Sequence, residues 1–142
     1  MRILRLHLQN VHALRNQWMI QFDQFPLYEA GLFAITGPTG GGKSSLLDAM
    51  IVALYGRVPR YGHNTPTELM TRHTAETLIE LDFAVQQGRF RARWNLRRAR
   101  GQATGRVQPA RHELQNLDTN QTLDLRSSDV PKEVEKLTGL NM

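Results

Sequence analysis

The 142-residue chain has no cysteine, which excludes a disulfide framework and thiolate ligation of zinc and is compatible with a reducing intracellular setting. Lysine is scarce as well. Of the 18 basic residues only Lys43, Lys132 and Lys136 are lysines; arginine supplies the rest, and its planar guanidinium suits phosphate oxygens, although codon bias gives the same preference. Carboxylates are missing from the whole interval between Asp82 and Glu113, where Arg89, Arg91, Arg93, Arg97, Arg98, Arg100, Arg106 and Arg111 fall. The first eight residues carry interspersed charges and no long apolar run, which argues against a signal peptide or a membrane anchor and leads us to expect a cytoplasmic protein. No internal repeat or low-complexity tract is present. The histidines His7, His12, His63, His73 and His112 include no pair at metal-ligand spacing on an expected helix, so none is assigned as a ligand.

What is present is compact and specific. Gly37-Pro38-Thr39-Gly40-Gly41-Gly42-Lys43-Ser44 is a full match to G-x-x-x-x-G-K-[ST], the loop that wraps a di- or triphosphate with backbone N–H groups. Gly37, Gly40 and Gly42 supply permissive backbone, Thr39 and Gly41 contribute N–H groups only, and Ser45 finishes the cradle. Lys43 supplies a point charge to the β and γ phosphates and is the catalytic candidate; Ser44 offers its hydroxyl to Mg²⁺. The flanks fit, with a short apolar strand at 32–35 before the loop and a helix over 45–54 after it. The expected cofactors are therefore ATP and Mg²⁺, with no motif that reads the base.

The remaining pattern describes an α/β domain whose apolar fraction of 40% supports one core. Leu4, Leu6 and Leu8 alternate with polar residues as a first strand, and Trp18, Ile20 and Phe22 as a second. From Arg57 to His73, proline, glycine and Asn64-Thr65-Pro66 predict a long mobile loop with at most a helical turn at Glu68-Leu69-Met70. Alternation over 77–85 and 89–97 predicts a hairpin. With Gln87-Gly88 as its turn, Phe83 lies opposite Ala92, Leu81 opposite Trp94 and Asp82 opposite Arg93. A weaker hairpin joins His112–Gln115 to Thr122–Leu125 across Asp118-Thr119-Asn120. A final helix, capped by Ser128 or Asp129, buries Val134 and Leu137 and stops at Gly139. We therefore expect a P-loop core over about 1–76, an antiparallel β subdomain over about 77–125 and a C-terminal helix over about 129–138.

Several stretches together resemble the SbcC family, the ATPase subunit of a bacterial nuclease complex. They are the Met-x-Ile-x-x-Leu-x-Leu-x-Asn opening, Gly31–Thr36 running into the phosphate loop, Ser44-Ser45-Leu46-Leu47-Asp48-Ala49, Leu54-Tyr55-Gly56-Arg57-Val58-Pro59-Arg60, and Glu135–Leu140. The resemblance implies the N-terminal lobe of an ABC-type ATPase head, with a mixed sheet around the phosphate loop. It implies a C-terminal lobe, a second head in a homodimer, an SbcD-type nuclease and double-stranded DNA as partners. The glutamine loop, signature motif and second nucleotide motif of such a head would lie beyond Met142, so the resemblance also implies that this stretch alone hydrolyses almost no ATP. Relatives commonly place a basic residue and a serine near the nucleotide where this chain has His12-Ala13, and no role is carried over to His12.

Arg97, Arg98 and Arg100 are the candidate contacts to DNA phosphates, since Arg91 and Arg93 have Asp82 and Glu80 across the hairpin; an ordinary solvated strand face explains those arginines equally well. Two other classes stay open. A self-contained P-loop kinase would need its own Mg²⁺ carboxylate, for which Asp82 is a poor candidate, and a non-enzymatic DNA-binding module would leave Lys43 without effect.

Overall fold

The computed structural model describes residues 1–24, 27, 36–37 and 43–141. Strands β1 (Arg2–Val11), β2 (Leu14–Gln21), β3 (Glu76–Val85), β4 (Gly88–Arg97), β5 (Arg111–Asn116) and β6 (Gln121–Thr122) form one sheet in the order β2-β1-β3-β4-β5-β6. Every ladder among the described residues is antiparallel. The helices are α1 (Lys43–Tyr55), α2 (Thr65–Leu69) and α3 (Val130–Thr138). The strand expected at 32–35, the one that would sit beside the phosphate loop, lies outside the described residues.

Period-2 alternation divides the sheet into an apolar face and a charged one. Leu6 and Leu8 of β1, Ile79, Leu81 and Phe83 of β3, Phe90, Ala92, Trp94 and Leu96 of β4 and Leu114 of β5 are all buried. Against them α1 lays Ala49, Val52 and Ala53, small and β-branched residues at i, i+3, i+4 that let the helix approach closely, and α3 adds Val130 and Val134. Trp94, 2% exposed, is a core residue; truncating it to alanine costs about 3–5 kcal/mol. α3 ends at Gly139, whose φ of 70° is the left-handed cap that glycine adopts without strain. Asp129 occupies the N-cap position, but its side chain makes no capping hydrogen bond there.

The hairpin register differs from the expected one by two residues. Its turn is Gln86-Gln87, so Phe83 faces Phe90, Leu81 faces Ala92, Ile79 faces Trp94 and Asp82 faces Arg91. A two-residue slip returns every side chain to its own face, so the hydrophobic pattern does not penalise it. Gly88 serves a close approach rather than the turn: a Cβ there would lie 2.5 Å from Asp118 Oδ2, at a φ of 134°. Asp118, in the β5–β6 turn, accepts from the Arg89 N–H and Nε and so locks the start of β4.

The 57–73 segment is packed rather than a bare loop. A 3-10 turn at Gly62–Asn64 leads into α2, with proline in its first turn. Leu69 is fully buried, and the buried Thr65 hydroxyl donates to Gly62 O while accepting from Val58 N–H. Met70 bridges to Val11 at the end of β1. The second strand also ends early: Trp18 is 52% exposed on β2, while Phe22 is buried just past its end.

Candidate nucleotide-binding site

Helix α1 begins at Lys43, with no carboxylate in its first turn to oppose an anion at its positive end. The Lys43 ammonium donates to Gly37 O at 2.5 Å, so the two ends of the glycine-rich octet come together. Ser44 is exposed and Ser45 is buried. Thr39, Gly40, Gly41 and Gly42 lie outside the described residues. The ammonium and an exposed hydroxyl, side by side at a helix start, are the donor set that a Mg·nucleotide needs, so the described part of the loop fits the expected cofactors.

The inward stripe of α1 is polar at this end and apolar beyond, because Ser45 and Asp48 precede Ala49, Val52 and Ala53. These polar residues meet the tip of the first hairpin. Val11 pairs with Leu14, which leaves His12-Ala13 as a two-residue turn with His12 at a φ of 50°. A bulge at Asn10 precedes it, held by Asn10 Nδ2 donating to Glu76 O and Asn10 Oδ1 accepting from Asn16 N–H. Leu69 O accepts from His12 N–H at 2.8 Å, and the Thr71 hydroxyl donates to His12 O at 2.6 Å.

The imidazole is held on both sides. His12 Nδ1 lies 2.8 Å from Ser45 Oγ, and Nε2 lies 3.4 Å from the Tyr61 hydroxyl and 3.9 Å from Asp48 Oδ2. A carboxylate beside Nε2 favours the tautomer with hydrogen there and leaves Nδ1 to accept from Ser45. Burial holds the His12 pKa below its ordinary value, with Asp48 and Glu68 pulling the other way and Arg60 assisting. Asp48 is 2% exposed, and burial raises its pKa against the opposing pull of Arg60 and His12. Arg60 donates to Asp48 Oδ2 and to the Tyr61 hydroxyl, with its guanidinium 4.8 Å from the Tyr61 ring centre. His12 also lines a cleft of about 490 Å³, together with Ala13, Arg15, Thr67, Glu68 and Thr71 among others.

Sequence reasoning missed this cluster. Asp48, one turn into α1, reads from the sequence as a cap or surface charge and is instead buried; nothing in the spacing joins it to His12 or Arg60.

The opposite face of the sheet carries the arginines. Arg91 forks onto Asp82 at 2.7 and 3.0 Å, and Arg5 reaches both Asp82 and Glu80 at 3.2 Å. Arg97 was expected to have no carboxylate nearby; the observed register puts Glu76 opposite it, 3.3 Å from its Nε. Arg98 donates to Thr74 O and Gly105 O, and Arg100 sits in a turn at a φ of 59°. Arg93, Asn95, Arg97, Arg111 and Glu113 line a shallow cleft of about 210 Å³ on this face. Among the described residues no group of three or more His, Asp or Glu could hold a metal, and no helix is long and apolar enough to cross a membrane.

A strand-rich lobe with α1 starting at Lys43-Ser44 defines a P-loop ATPase lobe. A family profile described as an AAA domain matches residues 5–137, and the chain belongs to that family. It is 39% identical over 159 residues to the SbcC protein of the SbcCD nuclease from Pseudomonas aeruginosa, with 99% of this chain and 13% of the relative covered. It is 35% identical over 144 residues to the Bacillus subtilis protein of the same name, covering 100% of this chain and 12% of the relative. To the "Probable DNA double-strand break repair Rad50 ATPase" of Aquifex aeolicus it is 28% identical over 142 residues, covering 99% and 13%. The chain thus spans 12–13% of the length of these relatives and matches their N-terminal portion. The SbcC resemblance read from stretches along almost the whole chain is borne out.

Proposed function

We propose that the chain binds Mg·ATP at the start of α1 and supplies the N-terminal half of a composite ATPase site. Lys43 at the first position of α1, beside an exposed Ser44 and within reach of Gly37, carries this reading. In it Lys43 neutralises phosphate charge, Ser44 is the protein ligand of Mg²⁺, and the backbone from Gly37 through Ser45 wraps the phosphates. Ser44 would hold the ion, which would supply positive charge against the phosphates. The cleft lined by His12 is linked to this helix start through the His12–Ser45 contact and is a candidate place for the nucleoside. By the SbcC likeness, a second lobe and a second head supply the positioned water and the general base and so complete the site. Hydrolysis by the chain alone is near zero.

By likeness to relatives named as nuclease subunits and DNA-repair ATPases, the whole protein works with an SbcD-type nuclease on double-stranded DNA ends in the cytoplasm. The charged sheet face supplies the DNA side of this reading. Arg97 and Arg111, which line the cleft on this face, and Arg100 in the turn after β4 supply sequence-independent contacts to phosphates, while Arg98, engaged by two carbonyls, holds that turn. The self-contained kinase is disfavoured, because Asp82 is held by Arg91 and Arg5 on the sheet face away from α1. Titration with Mg·ATP beside Lys43→Ala tests the reading. An ATPase assay with and without a separately expressed C-terminal lobe follows, and turnover should appear only when that lobe is added.

A further inference from the structure

We propose that His12 is a positioning residue of the nucleotide site, joining the phosphate-binding turn of α1 to the cleft through the Ser45 hydroxyl. The inference rests on the nucleotide reading above and adds a residue that the loop motif does not contain.

His12 occupies the first position of a two-residue hairpin turn at positive φ, where glycine is the residue of least strain. Backbone preference therefore does not account for a histidine here; the side-chain contacts must offset the strain. Those contacts reach two separate segments. Nδ1 meets Ser45 two residues into α1, Nε2 faces Asp48 one turn further on, and the ring packs edge-on against Tyr61 with centres 5.9 Å apart. The main chain of His12 is meanwhile fixed by Leu69 and Thr71, and Thr71 also lines the cleft. One residue thus ties the β1–β2 tip, the first two turns of α1 and both arms of the 57–71 segment.

Ser45 follows directly on Lys43 and Ser44, so the rotation of this first turn sets where their ammonium, hydroxyl and N–H groups point. With Nδ1 accepting from Ser45, that rotation is fixed before the nucleotide arrives. With the imidazole removed, the Ser45 hydroxyl is buried without its partner and competes for backbone carbonyls within the helix. Phosphate binding then has to reorder the turn, and affinity falls by that ordering cost.

The decisive variant is His12→Gly, which relieves the turn while deleting the imidazole, so a folding defect is not built into the test. Mg·ATP affinity of the chain is measured for wild type, His12→Gly, His12→Asn, Ser45→Ala and the His12→Gly/Ser45→Ala double variant, with thermal unfolding of each. The expected result is a roughly tenfold loss of affinity in His12→Gly, with thermal unfolding showing the variant folded at the temperature of the titration. In His12→Asn, whose amide oxygen can accept from Ser45 in place of Nδ1, affinity returns to within about threefold of wild type. On the Ser45→Ala background His12→Gly should cost less than about twofold, the non-additivity of two groups acting through one bond. Wild-type affinity in His12→Gly overturns the proposal, as does a His12→Asn no tighter than His12→Gly, or a full tenfold loss that persists without the Ser45 hydroxyl. A Lys43→Ala that binds as wild type marks failure of the nucleotide reading itself, and the proposal falls with it.

Discussion

Two charged networks lie on opposite sides of the same sheet, and they are built in different ways. On the outer face Arg5, Glu80, Asp82, Arg91 and Arg93 form a cross-strand ladder in which each partner stands opposite or diagonal to its neighbour on an adjacent strand. At the α1 end, Asp48, Arg60, Tyr61 and His12 come from a helix, a connecting segment and a hairpin tip that no ladder relates. The ladder is repetitive and partly solvated, so losing one member leaves others to share the charge. The cluster around Asp48 is a single knot centred on that one buried carboxylate, capped from solvent by Arg60, and each member there has a separate task.

The largest effect expected at the α1 end is on binding. Lys43→Ala should weaken Mg·ATP by roughly a hundredfold, about 2.7 kcal/mol, measured by calorimetric titration. No arginine of the outer ladder should change that affinity by more than about twofold, and a larger change from Arg91→Gln would erase the distinction between the two faces.

Stability sharpens the same contrast. Asp48→Ala leaves His12 Nε2 and a buried hole facing each other and should lower unfolding free energy by about 2–3 kcal/mol in a denaturant melt. Asp82→Asn keeps its volume and one acceptor for Arg91, and should cost nearer 1 kcal/mol. Equal losses at the two sites would mean that the ladder is no more tolerant than the knot.

A smaller effect follows from pH. Burial depresses the pKa of His12, and it does the same for His112, whose Nε2 donates to Ala53 O at 2.7 Å. Both therefore bind a proton less readily folded than unfolded, where 6.5 is the ordinary value. Their contribution is fully present above that value and is lost as pH falls below it. Melting temperature should drop from pH 7 towards pH 5.5, with a shallower slope in His112→Leu. Asp48, whose pKa is raised, works in the opposite sense, but in the lower carboxylate range.

The smallest effect belongs to the outer face and DNA. Arg111→Gln should reduce the slope of log affinity for duplex DNA against log salt by about 0.9, the release of one counterion, while leaving Mg·ATP affinity alone.

The two regions also differed in how far they could be read from sequence. Alternation over 77–97 gave the hairpin and its buried face, since an arginine in the core is forbidden by its burial cost. It could not give the pairing, because a slip by two preserves both faces and the deciding contact is made by Asp118, thirty residues from Gly88. That slip is also why Arg97 turned out to have Glu76 beside it. The octet announced the phosphate site, because its chemistry is local to consecutive residues. His12, Asp48 and Arg60 carried no such sign: Arg60 lies twelve residues from Asp48, and His12 thirty-three from Ser45. The segment expected to be a mobile loop is what brings them together, through Thr65, Leu69 and Met70, whose burial no local propensity announces.

The most direct test of the central claim is a titration of the chain with Mg·ATP, in parallel with Lys43→Ala. Saturable one-to-one binding by the wild type that is lost in the variant is the predicted result. Binding of equal strength by both chains, or none by the wild type, would contradict the assignment of the start of α1 as the nucleotide site.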